Sequence, residues 1–155
     1  MSTMSSLLKA LPPEGRDRLM ALAHETAFTT GTRIFEEDYR AKKFWIIHTG
    51  AVDLDLHVPG RRAAVVETLG PGALLGWSWL FPPHTWHLGA EAATPVRAFE
   101  FDAAQVRALC EEDPVFGMAF TRCVAEIIAH RLQCARHRLL DLYGPSGGAS
   151  LRMAR

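Results

Sequence analysis

The sequence predicts an α+β, mainly β fold: a jelly roll (β-roll) with short N-terminal helices and a long C-terminal helix. Apolar residues have helical spacing in residues 7–24, a period of two in residues 29–101, and helical spacing again from residue 102 onward. Turn signals such as Pro59-Gly60 and Gly70-Pro71-Gly72 divide the middle stretch into short segments. Short strands separated in this way are typical of sandwiches and jelly rolls.

The N-terminal stretch predicts a short helical turn followed by an amphipathic helix. Leu7, Leu8 and Leu11 belong to the turn. Pro12 and Pro13 mark the start of the helix, because proline is suited to the first helical position. Strands are then expected at residues 33–36, 43–48, 51–58, 63–69, 86–93 and 96–101.

The clearest strand is 51–58, where apolar and polar residues alternate. Successive side chains of a strand point to opposite faces of the sheet. One face is therefore expected to be buried and the other to be exposed. The expected buried residues are Val52, Leu54, Leu56 and Val58, and the expected exposed residues are Ala51, Asp53, Asp55 and His57.

Two helices are expected after the last strand. Asp102, with Gln105 three residues later, has the spacing of a capping box and predicts the start of the first helix. Asp113 followed by Pro114 combines a capping residue with a first-turn proline. The second helix is expected to run about 28 residues, to Tyr143.

Length and composition indicate one domain, residues 1–143, which includes the C-terminal helix 114–143, and a flexible tail, residues 144–155. Apolar residues make up 48% of the chain and charged residues 22%, which excludes a disordered or membrane-embedded chain. Lys plus Arg and Asp plus Glu both number 17, so the positive field that supports nucleic-acid binding is missing. No direct nucleic-acid binding is expected.

The cysteines and the N-terminus predict a cytoplasmic protein without membrane association. Cys110, Cys123 and Cys134 are odd in number and fall in the expected helices, so reduced thiols are favoured over a disulfide framework. No apolar run approaches the roughly 18 residues of a membrane span. Residues 1–6 lack the basic and apolar regions of a signal peptide.

Three segments carry a family resemblance. They are Gly31-Thr-Arg-Ile-Phe-Glu-Glu-Asp38, Phe44-Trp-Ile-Ile-His-Thr-Gly-Ala-Val52 and Leu69-Gly-Pro-Gly-Ala-Leu-Leu-Gly76. With residues 92–101, they resemble the cyclic-nucleotide-binding domain of the catabolite activator (Crp/Fnr-like) superfamily, over most of residues 5–142. The resemblance implies a jelly roll and a non-catalytic sensor or regulatory role in signal transduction. A winged helix does not fit into residues 144–155, so a stand-alone domain with a separate output partner is expected.

The resemblance also locates a ligand cassette. In the family a glutamate follows the cassette glycine and an arginine lies about ten positions later, and Trp77 and Trp86 occupy these positions here. The loss of both polar contacts implies that cAMP binds at least about a hundredfold more weakly than in the family. No cofactor is predicted. The alternative is that another arginine contacts the phosphate, and the candidates are Arg61, Arg62 and Arg97. The candidate ligand-binding residues are Leu75, Gly76, Trp77, Ser78, Trp79, Trp86 and His87.

The tryptophans of the cassette allow two interpretations that the sequence leaves open. Trp77, Trp79 and Trp86 lie within ten residues. They are consistent with an aromatic pocket for a flat apolar or cationic small molecule, because indole faces stack and attract cations. They are equally consistent with a pocket filled by its own side chains, which would leave a ligand-free protein-interaction module.

A metal enzyme is the alternative from another class. His84, His87 and Glu91 suggest a cupin-like metal site, but the three-residue step between the histidines would put them on opposite faces of an extended strand. No metal site and no catalytic residue are therefore predicted. A second group of possible metal ligands lies on one face of the long helix, namely His130, Cys134 and His137. A zinc site usually has four ligands, and no fourth is evident here.

The long helix also predicts a homodimer. A helix of about 28 residues would extend roughly 42 Å, longer than a small domain needs. The resemblance implies that this helix pairs with its twin, and a protein partner is an alternative for the same surface. The expected dimer interface is Ile128, Leu132, Ala135, Leu139 and Leu142, which recur at three- and four-residue steps.

Overall fold

The computed structural model describes residues 6–143 of the 155-residue chain. Within that part, eight strands form two four-stranded antiparallel sheets, so the predicted mainly β jelly roll with a long C-terminal helix is confirmed. The strands are β1 (His24–Phe28), β2 (Arg33–Phe35), β3 (Lys43–Thr49), β4 (Val52–Leu56), β5 (Ala64–Leu69), β6 (Leu74–Leu75), β7 (Gly89–Ala92) and β8 (Val96–Asp102). The helices are α1 (Ser6–Ala10), α2 (Pro13–Met20), α3 (Ala103–Glu112) and α4 (Pro114–Tyr143), with a 3₁₀ turn at Ser78–Leu80.

The strand order places β3 inside the first sheet, between β8 and β6. One sheet has the order β1-β8-β3-β6 and the other β2-β7-β4-β5. Consecutive residues of β3 contact different layers: Phe44 contacts Phe120 of α4, whereas Trp45 stacks on Phe35 of the other sheet. Because both faces of β3 are covered, four successive residues are buried instead of every second one. These buried residues are Phe44, Trp45, Ile46 and Ile47.

Aromatic rings therefore form two separate clusters on the two faces of β3. We call them the helix cluster and the cassette cluster. The helix cluster consists of Phe44, Trp79, Phe101, Phe116 and Phe120. The cassette cluster consists of Phe28, Phe35, Trp45 and Trp86.

The strict alternation predicted for residues 51–58 is wrong at two positions. Asp55 is only 6% exposed, whereas Leu56 is 42% exposed. The register between β4 and β5 shifts between Leu54 and Asp55, and such an irregularity breaks the two-residue period. The burial of Asp55 is compensated by Arg33, whose guanidinium donates to both carboxylate oxygens at 2.5 and 3.1 Å.

Arg33 connects three strands of the second sheet. Besides Asp55 of β4 it contacts Glu36 at 2.6 Å and Glu91 of β7 at 3.4 Å. Hydrogen bonds to Asp55 and Glu36 raise the pKa of Arg33, so this residue stays a cation. Gly89 makes room for it, because a Cβ at Gly89 would lie 2.2 Å from the guanidinium.

The helix signals in the sequence are confirmed. The Asp102 carboxylate accepts hydrogen bonds from the amides of Ala104 and Gln105, and Asp113 accepts one from Phe116. The last helix, α4, has 30 residues, close to the expected length. Its first half is packed against the sheet, with Phe116, Gly117, Phe120, Cys123 and Val124 buried.

The second half of α4 extends away from the packed part of the molecule. From residue 132 to residue 143 every residue is exposed. No helix in residues 6–143 is long and apolar enough to cross a bilayer. The predicted tail, residues 144–155, lies outside the described residues.

Candidate ligand-binding site

The cassette begins where β6 ends at Leu75. Gly76 has φ +93°, a left-handed conformation that side chains disfavour. A Cβ at this position would also lie 2.8 Å from Cη2 and Cζ3 of Trp86. The indole of Trp86 therefore lies directly against the Gly76 backbone.

Trp86 is held by its ring and by its backbone. The ring is 5% exposed and stacks on Phe35, with centroids 3.8 Å apart and planes 14° from parallel. Its amide donates to the Tyr39 carbonyl at 3.0 Å, and its carbonyl accepts from the Asp38 amide at 2.9 Å. This pairing with the 38–39 turn explains why β7 starts at Gly89 instead of at the predicted residue 86.

Trp77 and His87 form a second stack at the cassette. Their rings lie 5.3 Å apart with planes 21° from parallel. Ser78 Oγ and His87 Nδ1 are 3.1 Å apart and share a hydrogen bond. Ser78 is buried while His87 is exposed, so the pair connects the interior of the cassette to its surface.

Leu75 and Trp79 point away from the cassette cavity. Both are fully buried, and Trp79 stacks on Phe44 with centroids 4.7 Å apart, within the helix cluster. The Trp79 indole donates to the Gly76 carbonyl at 3.3 Å, so it supports the cassette backbone from the core side. The other five candidates, Gly76, Trp77, Ser78, Trp86 and His87, do line one cavity.

The cavity that these five residues line is small, about 50 Å³. Sites for organic ligands in proteins usually have several hundred Å³, whereas a cavity of this size accepts little more than a water molecule. Phe35, Leu54, Leu88 and Arg131 complete its lining. The ring of Trp86 thus lies between Gly76 and Phe35 of the second sheet.

Arg131 is a residue of this site that the sequence reasoning missed. An arginine on a helix is usually solvated, but the side chain of Arg131 turns back to the β-roll and is 15% exposed. Its Nη2 donates to the Leu74 carbonyl at 2.5 Å, and its Nε lies 3.9 Å from the Glu67 carboxylate. Burial lowers the pKa of Arg131. The sequence feature that could have predicted its burial is its spacing from Val124. Val124 is buried on the core-facing side of α4, and Arg131 follows it by seven residues, which is two helical turns.

The other arginines considered for this role are elsewhere. Arg61 and Arg62 are exposed in the turn between β4 and β5, and Arg97 is exposed on β8. None of the three lines the cassette cavity. Among the described residues, Arg131 is therefore the arginine that lines the cassette cavity.

The histidine and cysteine sets are not assembled into a metal centre. In residues 6–143 no three or more His, Cys, Asp or Glu side chains are grouped to hold a metal ion. On α4, His130 Nε2 and Cys134 Sγ are 3.6 Å apart on the exposed surface. His84 is in the loop before Trp86, with a positive φ of 62°.

The expected dimer interface is largely uncovered in the single chain. Ile128 is partly buried against the core, and Ala135 is exposed. The three leucines of this set are exposed by half or more, at 50% for Leu132, 53% for Leu139 and 71% for Leu142.

A jelly roll with a glycine-initiated cassette and a helix packed behind it defines a class of regulatory ligand-binding domains. A family model for the cyclic nucleotide-binding domain matches residues 25–113. The chain belongs to the cyclic nucleotide-binding domain family, as its sequence motifs suggested.

Curated and solved relatives agree with this assignment. The CRP-like cAMP-activated global transcriptional regulator of Mycobacterium tuberculosis is 23% identical over 138 residues, which cover 89% of this chain and 60% of the relative. The chain thus spans about 60% of the length of the curated relatives that it matches.

Two solved structures show the same fold. A cyclic nucleotide-binding domain from Methylobacillus flagellatus KT is similar with a TM-score of 0.79 and 14% identity, over 90% of this chain and 82% of that chain. The Catabolite Activator Protein of Thermus thermophilus has a TM-score of 0.73 and 23% identity, over 89% of this chain and 63% of that chain.

Proposed function

We propose that this protein is a non-catalytic regulatory module whose cyclic-nucleotide cassette is occupied by its own aromatic side chains, so that cAMP binding is weak or absent. The observation that carries the proposal is the position of Trp86, whose ring lies on Gly76 and stacks on Phe35. By the family resemblance, Trp86 stands at the phosphate-binding arginine and Trp77 at the ribose-binding glutamate. The remaining cavity of about 50 Å³ has no room for a nucleotide.

Arg131 does not restore the lost contacts in this arrangement. Its guanidinium is engaged by the Leu74 carbonyl and lies near Glu67, on the α4 side of the cassette. A cyclic phosphate would have to displace Trp86 before it met a cation. Without a bidentate arginine the cost is roughly 1.5–3 kcal/mol for each lost charged hydrogen bond.

The output of the module is proposed to pass through α4. Arg131 joins α4 to the carbonyl of Leu74, one residue before the end of β6, so a shift of the cassette backbone moves the helix. The exposed leucines of the second half of α4 supply a surface for a homodimer or for a protein partner. The free cysteines Cys110, Cys123 and Cys134 support a cytoplasmic location.

Calorimetry with cAMP and cGMP tests the proposal. The unmodified chain is expected to give no binding heat up to millimolar nucleotide. The double variant Trp77→Glu with Trp86→Arg, which supplies both polar anchors and frees the space over Gly76, is expected to gain measurable binding. Phe81→Arg adds an arginine to the same loop at a more exposed position and controls for the added cation, and it is expected to gain no binding. Micromolar binding by the unmodified chain would contradict the proposal.

The dimer is tested separately by light scattering of the eluted protein. Leu139→Glu with Leu142→Glu is expected to convert a dimer into a monomer, because charges would face each other in an apolar seam. Val115→Glu is the control, since Val115 is an apolar residue of the same helix that is 76% exposed and lies outside the proposed seam. If the unmodified chain is monomeric, the homodimer proposal is wrong, and binding of a protein partner is the remaining proposal for this surface.

A further inference from the structure

A second and larger cavity lies between α4 and strands β5 and β6. Its volume is about 470 Å³, roughly nine times that of the cassette cavity and within the range of small-molecule sites. We call it the α4 groove. Apolar walls are supplied by Leu69, Leu74 and Ile127, and the buried Cys123 also lines the groove. The inference below rests on the proposed function, because it asks what replaces the nucleotide as ligand.

Arg131 gives the α4 groove a desolvated positive charge. Its side chain is 15% exposed, and burial lowers its pKa, which means that the cation has lost much of its hydration. Glu67 is the nearest carboxylate, but at 3.9 Å from Nε it is beyond hydrogen-bond length. The planar guanidinium of an arginine can bind a carboxylate through two parallel hydrogen bonds. Arg131 and Glu67 do not form such a pair.

We propose that the α4 groove binds a small organic monocarboxylate with an apolar body. The carboxylate pairs with Arg131, and the body packs on Leu69, Leu74 and Ile127. Glu67 and Glu126 also line the groove, and their repulsion of a ligand grows with every negative charge that the ligand carries, so a single carboxylate is opposed least. The groove therefore selects a single carboxylate on an apolar body over a phosphate or a polyanion.

The position of Arg131 connects this site to the output of the module. The residue lines both the α4 groove and the cassette cavity, and it bonds to the Leu74 carbonyl of β6. A carboxylate that takes over its donors would loosen this link between α4 and the β-roll.

Octanoate is the probe for this site, because it has one carboxylate and a short apolar chain. Calorimetry with the full chain is expected to show saturable binding. Arg131→Gln is expected to weaken it about tenfold or more, and Arg138→Gln, an exposed arginine on the same helix, is the matched control expected to leave it unchanged. Glu67→Gln is expected to strengthen binding several-fold, because it removes the competing carboxylate. 1-Octanol, which lacks the charge, is expected to bind at least about tenfold more weakly than octanoate.

Alkylation of Cys123 shows where the probe binds. In a background with Cys110→Ser and Cys134→Ser, octanoate is expected to slow the reaction of Cys123 with iodoacetamide in a saturable way. Absence of protection at millimolar octanoate, or equal binding by the Arg131→Gln and Arg138→Gln variants, would overturn the inference. If Arg131→Gln does not fold, the Glu67→Gln and octanol comparisons decide in its place. Micromolar cAMP binding contradicts the proposed function instead, so the two failures are distinguishable.

Discussion

The helix cluster and the cassette cluster lie on opposite faces of β3, one residue apart at Phe44 and Trp45. Each contains a buried tryptophan stacked on a phenylalanine, Trp79 on Phe44 and Trp86 on Phe35. The rings of the helix cluster come from two strands, the 3₁₀ turn and two turns of α4. In the cassette cluster, Trp86 comes from a loop and borders a cavity. Both tryptophans, seven positions apart, are buried, but Trp86 also lines the cassette cavity whereas Trp79 does not.

The surroundings explain this difference. Trp79 is completely buried, its indole donates to Gly76, and its carbonyl accepts a hydrogen bond from Arg107 of α3 at 2.8 Å. Trp86 has backbone partners in the 38–39 turn, but no hydrogen bond to its indole is found among the described residues. Stacking and burial alone hold its ring. The comparison therefore predicts that the two tryptophans respond differently to removal.

The largest loss in the free energy of unfolding is expected for Trp79→Ala. Removing a fully buried indole from a packed cluster leaves a cavity that the surrounding rings fill poorly, so the free energy of unfolding should fall by about 3–5 kcal/mol. Urea unfolding followed by circular dichroism measures it. The control is Phe81→Ala, a partly exposed aromatic residue two positions away, which should cost less than about 1 kcal/mol. Equal losses in the two variants would contradict the assignment of Trp79 to the core.

The second effect is expected for Trp86→Ala, which should keep the fold and create a binding cavity. The loss in the free energy of unfolding should be smaller than for Trp79→Ala, at about 2–3 kcal/mol, because the new space joins the existing cavity and water can enter it. Indole should bind there and raise the melting temperature of the variant. The measurement is a thermal shift with and without indole.

A comparison with cAMP tests the interpretation of this variant. cAMP should stabilise Trp86→Ala far less than indole does, because the variant gains space but no cation. If cAMP stabilised it as strongly as indole, steric exclusion by Trp86 would be the whole reason for weak nucleotide binding, and Arg131 would be the cation that meets the phosphate.

Much of the fold could be predicted from the sequence because local signals agree with the tertiary structure. The caps at Asp102 and Asp113, the turns at Gly60 and Gly72, and the change of period after Phe101 are all local features, and the structure follows them. The alternation at Asp55 and Leu56 could not be predicted in this way. Burial of Asp55 depends on Arg33, 22 residues earlier in the chain, which only the pairing of the strands brings close.

The family resemblance located the cassette, but the volume of its cavity could not be predicted. Five of the seven residues predicted from the resemblance line one cavity, namely Gly76, Trp77, Ser78, Trp86 and His87. Whether their rings would leave a pocket or fill it depends on ring orientation, and residue identity does not fix that. Arg131 was missed because a cationic side chain on a helix is usually solvated, and its burial required a cleft formed by β5 and β6.

The smallest loss in the free energy of unfolding is expected when the hydrogen bond between Ser78 and His87 is removed. Ser78→Ala removes the hydroxyl that bonds to His87 Nδ1, and the free energy of unfolding should fall by about 1 kcal/mol. The exposed imidazole can replace this partner with water, so little more should be lost. A double-mutant cycle with His87→Ala measures the coupling of the pair, expected to be below about 1 kcal/mol. A coupling above about 2 kcal/mol would mean that this hydrogen bond, and not the stacked rings, holds the cassette closed, and the contrast between the two clusters would then rest on polar contacts.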